Sequence, residues 1–289
     1  MIQADLTIVR RAYAKQIMAV SGVADRRVED AFASVRREDF LGPGPWHRAS
    51  WRPDQYVTTP DADPVYLYTN DLFGLIPERG LNNGQPSLHA FLIAAADPRE
   101  GEHAVHIGAG VGYYTAIIAE LVGRTGRVTA VEVEPWLAER ARKNFREWPN
   151  VHVASGDGTT MPFDRAEVIY VNAGVTHPAD SWLDNLADGG RLLLPLSSNE
   201  AFDAGKIADG RLRGAVFLIT RRGADFQARM VGPVRIIPCE GMRDDASERA
   251  LAAALSRGGA ERVTRLYRHK QIPEDKCWLR APGWCLAYE

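Results

Sequence analysis

The 289-residue chain is poor in cysteine: Cys239, Cys277 and Cys285 are its three thiols, and no two form a CxxC pair. An odd number of scattered cysteines argues against a disulfide framework, so the expectation is reduced thiols in a cytoplasmic protein. Long hydrophobic runs are missing too. Stretches such as residues 91–96 fall far short of the roughly 20 apolar residues that span a bilayer, which argues against a membrane protein. Asp5, Arg10 and Arg11 interrupt any secretory-signal core. Charge of one sign is lacking as well: 35 basic against 37 acidic residues leave a formal net charge of −2, so no global field recruits nucleic acid or an anionic membrane. The seven histidines show neither HxH nor HxxxH spacing and none has a cysteine nearby, so no metal is implied. Repeats and low-complexity tracts are also missing. With 45% hydrophobic residues the chain can build a core, which excludes wholesale disorder.

Along the chain, residues 1–42 read as helical, with Val28, Ala31, Phe32 and Val35 at helical spacing and Asp25 as a cap. Residues 42–81, rich in Pro, Trp, Tyr and Asp, show no sustained period and predict irregular chain with short strands. A helix is expected from Pro86 to Asp97-Pro98. Strand and helix patterns then alternate: strands at 103–107, 127–131, 151–154, 167–171 and 191–196, helices at 113–122, after Pro135 and near 181–186. Two β-like runs follow at 214–220 and 226–237, then a helix over 247–267 and a tail carrying Trp278 and Trp284. Such alternation predicts a doubly wound α/β fold with a mostly parallel, seven-stranded, Rossmann-like sheet and a reversed last hairpin.

Between the strand at 103–107 and the next helix stands His106-Ile107-Gly108-Ala109-Gly110-Val111-Gly112-Tyr113. Glycines let the backbone approach a ligand closely, and the helix N-terminus offers unpaired N–H groups. Gly112 comes one place too early for a dinucleotide GxGxxG, and Tyr113 holds the expected glycine position. That spacing suits the methionine end of S-adenosyl-L-methionine. Glu132, ending the next strand, can accept both ribose hydroxyl hydrogens, while Glu134 beside it reads as a cap for the helix at Pro135. Asp157, in Gly156-Asp157-Gly158, can accept the adenine amino hydrogens, with Gly158 beside it.

From about Arg26 to Met242 these motifs together resemble the protein-L-isoaspartate O-methyltransferase family of class I methyltransferases. Asp25-Arg26-Arg27-Val28 through Arg37-Glu38-Asp39-Phe40 resembles its N-terminal helix, and Asn83-Gly84-Gln85-Pro86-Ser87 sits where it carries a substrate-facing loop. Asp188-Gly189-Gly190-Arg191-Leu192 with Pro195-Leu196 resembles its fifth strand, and Val234-Arg235-Ile236-Ile237-Pro238 its last. The resemblance implies methylation of a protein or peptide carboxylate, isoaspartyl residues by default, with protein repair as the role. It also carries His89 over as a residue near the cofactor, and Tyr68 and Asp71 as lining the site. By domain, 1–81 reads as a substrate-side region, 82–242 as the cofactor-binding domain and 243–289 as a C-terminal helix and tail.

The chain departs from the family at three places. Gly84 stands where the family presents a serine to the substrate carboxylate, so the acceptor falls to Asn83, Gln85 and Ser87; Ser87 serves equally well to start the helix. Restoring the serine at 84 should raise isoaspartyl activity if that peptide is a residual substrate, and do nothing or harm if the glycine admits a bulkier acceptor. His106 replaces an acidic residue and reads as a half-buried histidine ending a strand. Residues 243–289 exceed the family length. These departures keep alternatives open: a different peptide carboxylate or a small molecule, a tRNA methyltransferase using Arg26, Arg27, Arg36 and Arg37, or a non-catalytic cofactor binder. Methyl transfer to a carboxylate needs no general base, so the lack of a triad excludes none of the enzymes. Oligomeric state is not legible.

Overall fold

A computed structural model describes residues 5–50, 55–199, 213–239 and 242–289. In chain order the elements are α1 (Leu6–Ser21), α2 (Arg26–Ser34), α3 (Arg37–Leu41), β1 (His47–Ala49), β2 (Tyr56–Thr58), β3 (Gly74–Ile76), β4 (Leu81–Asn82), α4 (Pro86–Ala96), β5 (His103–Ile107), α5 (Tyr113–Val122), β6 (Arg127–Glu132), α6 (Pro135–Asn144), β7 (Val151–Ser155), β8 (Ala166–Val171), α7 (Asp180–Asp184), β9 (Leu186–Ser197), β10 (Gly214–Arg222), β11 (Asp225–Pro233), α8 (Asp245–Arg257), β12 (Arg265–Arg268), β13 (Cys277–Ala281) and β14 (Trp284–Ala287). All seven strands expected from the alternation form, as β5 to β11.

The chain divides into two compact units, residues 1–102 with 109–156 and residues 103–108 with 157–289. The C-terminal extension, residues 243–289, belongs to the second unit.

In the first unit, the Asp25 carboxylate accepts the Arg27 N–H at 2.8 Å and starts α2, as its position predicts. Gly22, at φ +68°, closes α1 in the left-handed region. The inner faces of these helices bury Tyr13, Ile17, Val28 and Phe32. Around them Phe40, Tyr113, Tyr114 and Phe145 complete an aromatic cluster with centroid separations of 5.0–6.5 Å, the range in which tilted and edge-on rings attract. Strands β6 and β7 pair in parallel from Val128↔Val151 to Glu132↔Ser155.

In the second unit the strands run β13-β14-β12-β11-β10-β9-β8-β5. The pairs β5/β8 and β8/β9 are parallel, and the others antiparallel. All five residues of β5 are buried, its two histidines His103 and His106 included. Two sequence expectations fail here. The helix foreseen over 247–267 stops at Arg257, because Gly258 (φ +71°) and Gly259 (φ +83°) turn the chain, and Leu266 and Tyr267 lie on β12. Cys277 and Cys285, expected to be reduced, form a disulfide with Cα atoms 6.2 Å apart, because β13 and β14 close a hairpin at Pro282-Gly283 that brings the two cysteines within reach although they are not register partners. Cys239 lies outside this disulfide. Trp278 is an anchor: its ring packs 5.3 Å from Phe217, and its Nε1–H donates to Gly258 O at 2.9 Å.

Candidate active site

In the first unit the glycine turn brings Gly110 to Glu132. The Gly110 N–H donates to Glu132 Oε2 at 2.7 Å, and the Glu134 N–H to Oε1 at 2.9 Å. The carboxylate is 6% exposed; burial pushes its pKa up, against the pull of these backbone donors. Gly112 caps α5 at φ +98°, and a Cβ there would lie 2.3 Å from the Phe145 ring, so only glycine fits. The Tyr113 ring turns into the aromatic cluster, its hydroxyl 3.4 Å from that of Tyr13, which leaves its backbone at the turn. Glu134 pairs with Arg79 and makes no side-chain cap to α6.

In the second unit Gly108 leaves β5 at φ +76°, close under the Asn172 carbonyl, and Asn172 Nδ2 donates back to Gly108 O at 3.1 Å. Gly158 packs against Ile107, where a Cβ would come within 2.5 Å, and its carbonyl accepts the Trp182 Nε1–H at 2.8 Å. Asp157 stays partly exposed, one carboxylate oxygen accepting the Thr159 N–H. Asn172 was not anticipated; only its place after a strand hints at it.

His106 is fully buried, edge-on to the Tyr170 ring at 5.2 Å, where a half-buried residue was expected. Burial drives its pKa down to about 3. The unfolded chain therefore binds a proton that the fold excludes, and stability should fall as pH drops from about 6.5 towards 3, by about 2 kcal/mol at pH 5. Thermal unfolding at pH 5 and pH 7 should show a steeper loss in the wild type than in His106→Phe; equal slopes would contradict it.

The loop at residues 82–87 is clamped from both sides. Asn83 is buried, and its Oδ1 accepts the Phe73 N–H at 2.7 Å. Asn70 Oδ1 accepts the Ser87 N–H at 2.8 Å, capping α4 from a distance. Helix α4 starts from Gln85, so Ser87 lies inside the first turn and its hydroxyl does not cap it. Gln85 is exposed. The Leu67–Asp71 stretch is in turn held by Arg37, whose fully buried guanidinium donates to the carbonyls of Leu67, Thr69 and Asp71 and lies 5.1–5.8 Å from the rings of Tyr13, Phe73 and Tyr113. The Tyr68 hydroxyl accepts the Arg37 N–H and donates to Glu38, while the Asp71 carboxylate pairs with Arg48 at 3.1 Å.

His89 belongs with this loop. Its ring stacks on Tyr114 at 3.6 Å and 11°, and the Tyr114 hydroxyl donates to Gly84 O at 2.9 Å. Gly84 has φ +76°, and a Cβ on it would lie 2.1 Å from His89 Nε2. The imidazole fills the space a side chain at 84 would enter. Tyr114 and Asn70 carry no sequence signal for these roles.

The first unit thus holds a glycine without room for a side chain and a buried carboxylate ending β6, and the second holds two such glycines and a partly exposed carboxylate after β7. Among the described residues no cluster of potential metal ligands occurs, and no helix is long and apolar enough to cross a membrane.

Comparison with known proteins shows the family. Residues 12–216 match the family described as protein-L-isoaspartate(D-aspartate) O-methyltransferase (PCMT). The chain is 31% identical over 215 residues to the protein-L-isoaspartate O-methyltransferase of Methanopyrus kandleri, spanning 71% of this chain and 85% of that one. It is 32% identical over 228 residues to the enzyme of that name from Brucella anthropi, spanning 76% and 88%. Among solved structures, a protein-L-isoaspartate O-methyltransferase superposes with a TM-score of 0.60 at 24% identity, covering 83% of this chain and 69% of the other. A Plasmodium falciparum structure described as a complex with S-adenosyl-L-homocysteine also scores 0.60, at 15% identity over 80% and 98%. The last two establish the Rossmann-like methyltransferase fold.

Proposed function

The chain belongs to the protein-L-isoaspartate O-methyltransferase family, and from that membership we propose that its enzymatic activity is methylation of isoaspartyl carboxylates in proteins and peptides, a repair reaction of the cytoplasm. It is an S-adenosyl-L-methionine-dependent methyltransferase. That cofactor supplies the methyl group as a sulfonium, with S-adenosylhomocysteine as the leaving product. The observation that carries the reading is Glu132, a carboxylate tied to the glycine turn through the Gly110 N–H and suited to paired ribose hydroxyls. Asp157 is suited to the adenine amino group, and the backbone of Gly108, Gly110, Gly112 and Tyr113 to the amino-acid end. The acceptor carboxylate is already a nucleophile at neutral pH, so the chain's task is alignment and exclusion of water. Gln85, the exposed member of the clamped loop, is the group we assign to meet it; Asn83 and Ser87 support the loop's shape, and His89 its packing.

A second reading keeps the chemistry and changes the acceptor to another peptide carboxylate or a small molecule. It is favoured by one observation: where the family presents a serine, Gly84 has no hydroxyl and the His89 ring fills the space. The cytoplasmic assignment loses the support of reduced cysteines, since Cys277 and Cys285 are paired.

Transfer of labelled methyl to an isoaspartyl peptide, with the matched aspartyl peptide as control, tests the proposal. Label on the first alone is expected; label only on other carboxylates would favour the second reading. Glu132→Ala should weaken S-adenosylhomocysteine binding by about 1–3 kcal/mol in calorimetry, the cost of unpaired buried polar groups. Unchanged affinity would refute the placement of the ribose.

A further inference from the structure

Within the second unit, β5 and β8 end level, Ile107 opposite Val171. The chain leaves at this edge through Gly108 and Asn172, and ligands of open parallel sheets bind outside such carboxyl ends. From Asn172 the segment crosses away from β5: Gly174 bridges to Pro238, and Val175 to Leu196 of β9. Arg243 fixes it there, donating to Gly174 O and Ser197 O at 2.8 Å each while paired with Glu248. The segment ends at Thr176-His177, on the β9 side of β8.

His177 is half-buried and stands at the head of a hydroxyl chain. Its Nδ1 lies 3.0 Å from Thr176 Oγ1, which is 2.8 Å from Ser247 Oγ, which is 2.6 Å from Asp244 Oδ2. Thr176 and Ser247 are buried. Counting hydrogens fixes the directions. The Ser247 hydroxyl donates along the short bond to the Asp244 carboxylate, so the Thr176–Ser247 contact needs the Thr176 hydrogen; Met242 O, at 3.0 Å, competes for the same one. Thr176 has none left for His177, and the imidazole must be the donor at Nδ1. Its Nε2 is then a lone pair, held in one orientation by a chain ending on a carboxylate, in the manner by which a partner bond on one ring nitrogen sets the role of the other.

We propose that His177 Nε2 accepts a backbone N–H of the peptide acceptor, making His177 a positioning residue for the carboxylate methylation proposed above. The inference rests on that reading. A carboxylate alone has no N–H to offer and a peptide always does, so this contact selects peptide over small-molecule acids. Burial lowers the His177 pKa, against the opposing pull of Asp244 and Asp180, the two carboxylates that face it; Arg243 and Glu248 neutralise each other. The neutral, accepting form therefore prevails at neutral pH, and the contact is lost as pH falls below the ordinary histidine range.

The test is steady-state kinetics on an isoaspartyl peptide with the full chain. His177→Ala should raise KM roughly 3- to 10-fold, the worth of one neutral hydrogen bond, with kcat nearly unchanged. His177→Gln, whose amide oxygen can take the place of Nε2, should recover most of it, and the acidic limb of the wild-type kcat/KM profile should disappear in both variants. S-adenosylhomocysteine affinity by calorimetry should not move. If the wild type turns over and His177→Ala matches it, or loses cofactor affinity in parallel, the inference falls and the methyltransferase reading stands. If the wild type leaves the peptide unmethylated while binding the cofactor, the acceptor assignment itself fails, and this inference with it.

Discussion

Replacing Arg37 by methionine should lower unfolding free energy by about 3–5 kcal/mol, with a fall in melting temperature of roughly 10 °C. The guanidinium makes three charge-assisted bonds to main-chain carbonyls in a fully buried site, each worth about 1.5–3 kcal/mol, and apolar packing of methionine among Tyr13, Phe73 and Tyr113 returns part of the loss. Lysine should not rescue it, because a single ammonium cannot reproduce the planar fork that reaches residues 67, 69 and 71 together. The damage should also reach the acceptor loop, since Asn70 caps α4 from this stretch. Thermal unfolding with a parallel methylation assay checks both; a variant as stable as the wild type would show that the carbonyls find other donors.

Gly84→Ser should do harm, although it restores the family residue. The backbone at φ +76° costs a non-glycine residue about 1–2 kcal/mol, and the new Cβ meets His89 Nε2 at 2.1 Å. The imidazole is stacked on Tyr114 and 1% exposed, so it cannot step aside without overpacking its neighbours, at about 1–3 kcal/mol more. Turnover should drop along with stability. Combining the change with His89→Ala should be less damaging than the two single losses summed, because the smaller residue opens the space; strict additivity would mean the two positions do not collide. A serine here could regain isoaspartyl activity only in an open loop, and the histidine five residues on already fills that space.

Much of the α/β core was legible because its signals are local. The five buried apolar-patterned residues of β5, the glycine turn and the start of α5 lie where the pattern put them, as do Glu132 at the end of β6 and the proline-started helices α4 and α6. What the pattern missed depends on contacts between distant residues. Nothing local says that Arg37 is buried among carbonyls rather than solvated, or that Thr176 meets Ser247 across 71 positions. The Gly84–His89 apposition needs the phase of α4 relative to the loop. In 247–267, Leu251, Leu255, Val263 and Leu266 mimic a helical stripe, and the paired Gly258-Gly259 outweighs it. The disulfide depends on the hairpin between β13 and β14, which a count of cysteines does not reveal.

The order of strands at the C-terminal end sets a schedule for synthesis. Strand β14 is made last of the three added strands yet lies between the other two, pairing Arg265–Arg268 on one side and Cys277–Ala281 on the other. As the chain emerges, β12 can dock on β11 through Phe226 and Gln227, but β13 has nowhere to pair until residues 284–287 arrive. All four of those residues are buried. A nascent chain lacking them leaves the outer edge of β12 open and β13 unpaired, so this margin is completed in a single step when residues 284–287 are added, and a nonsense codon just before Trp284 would cost the pairing of β13 as well as β14.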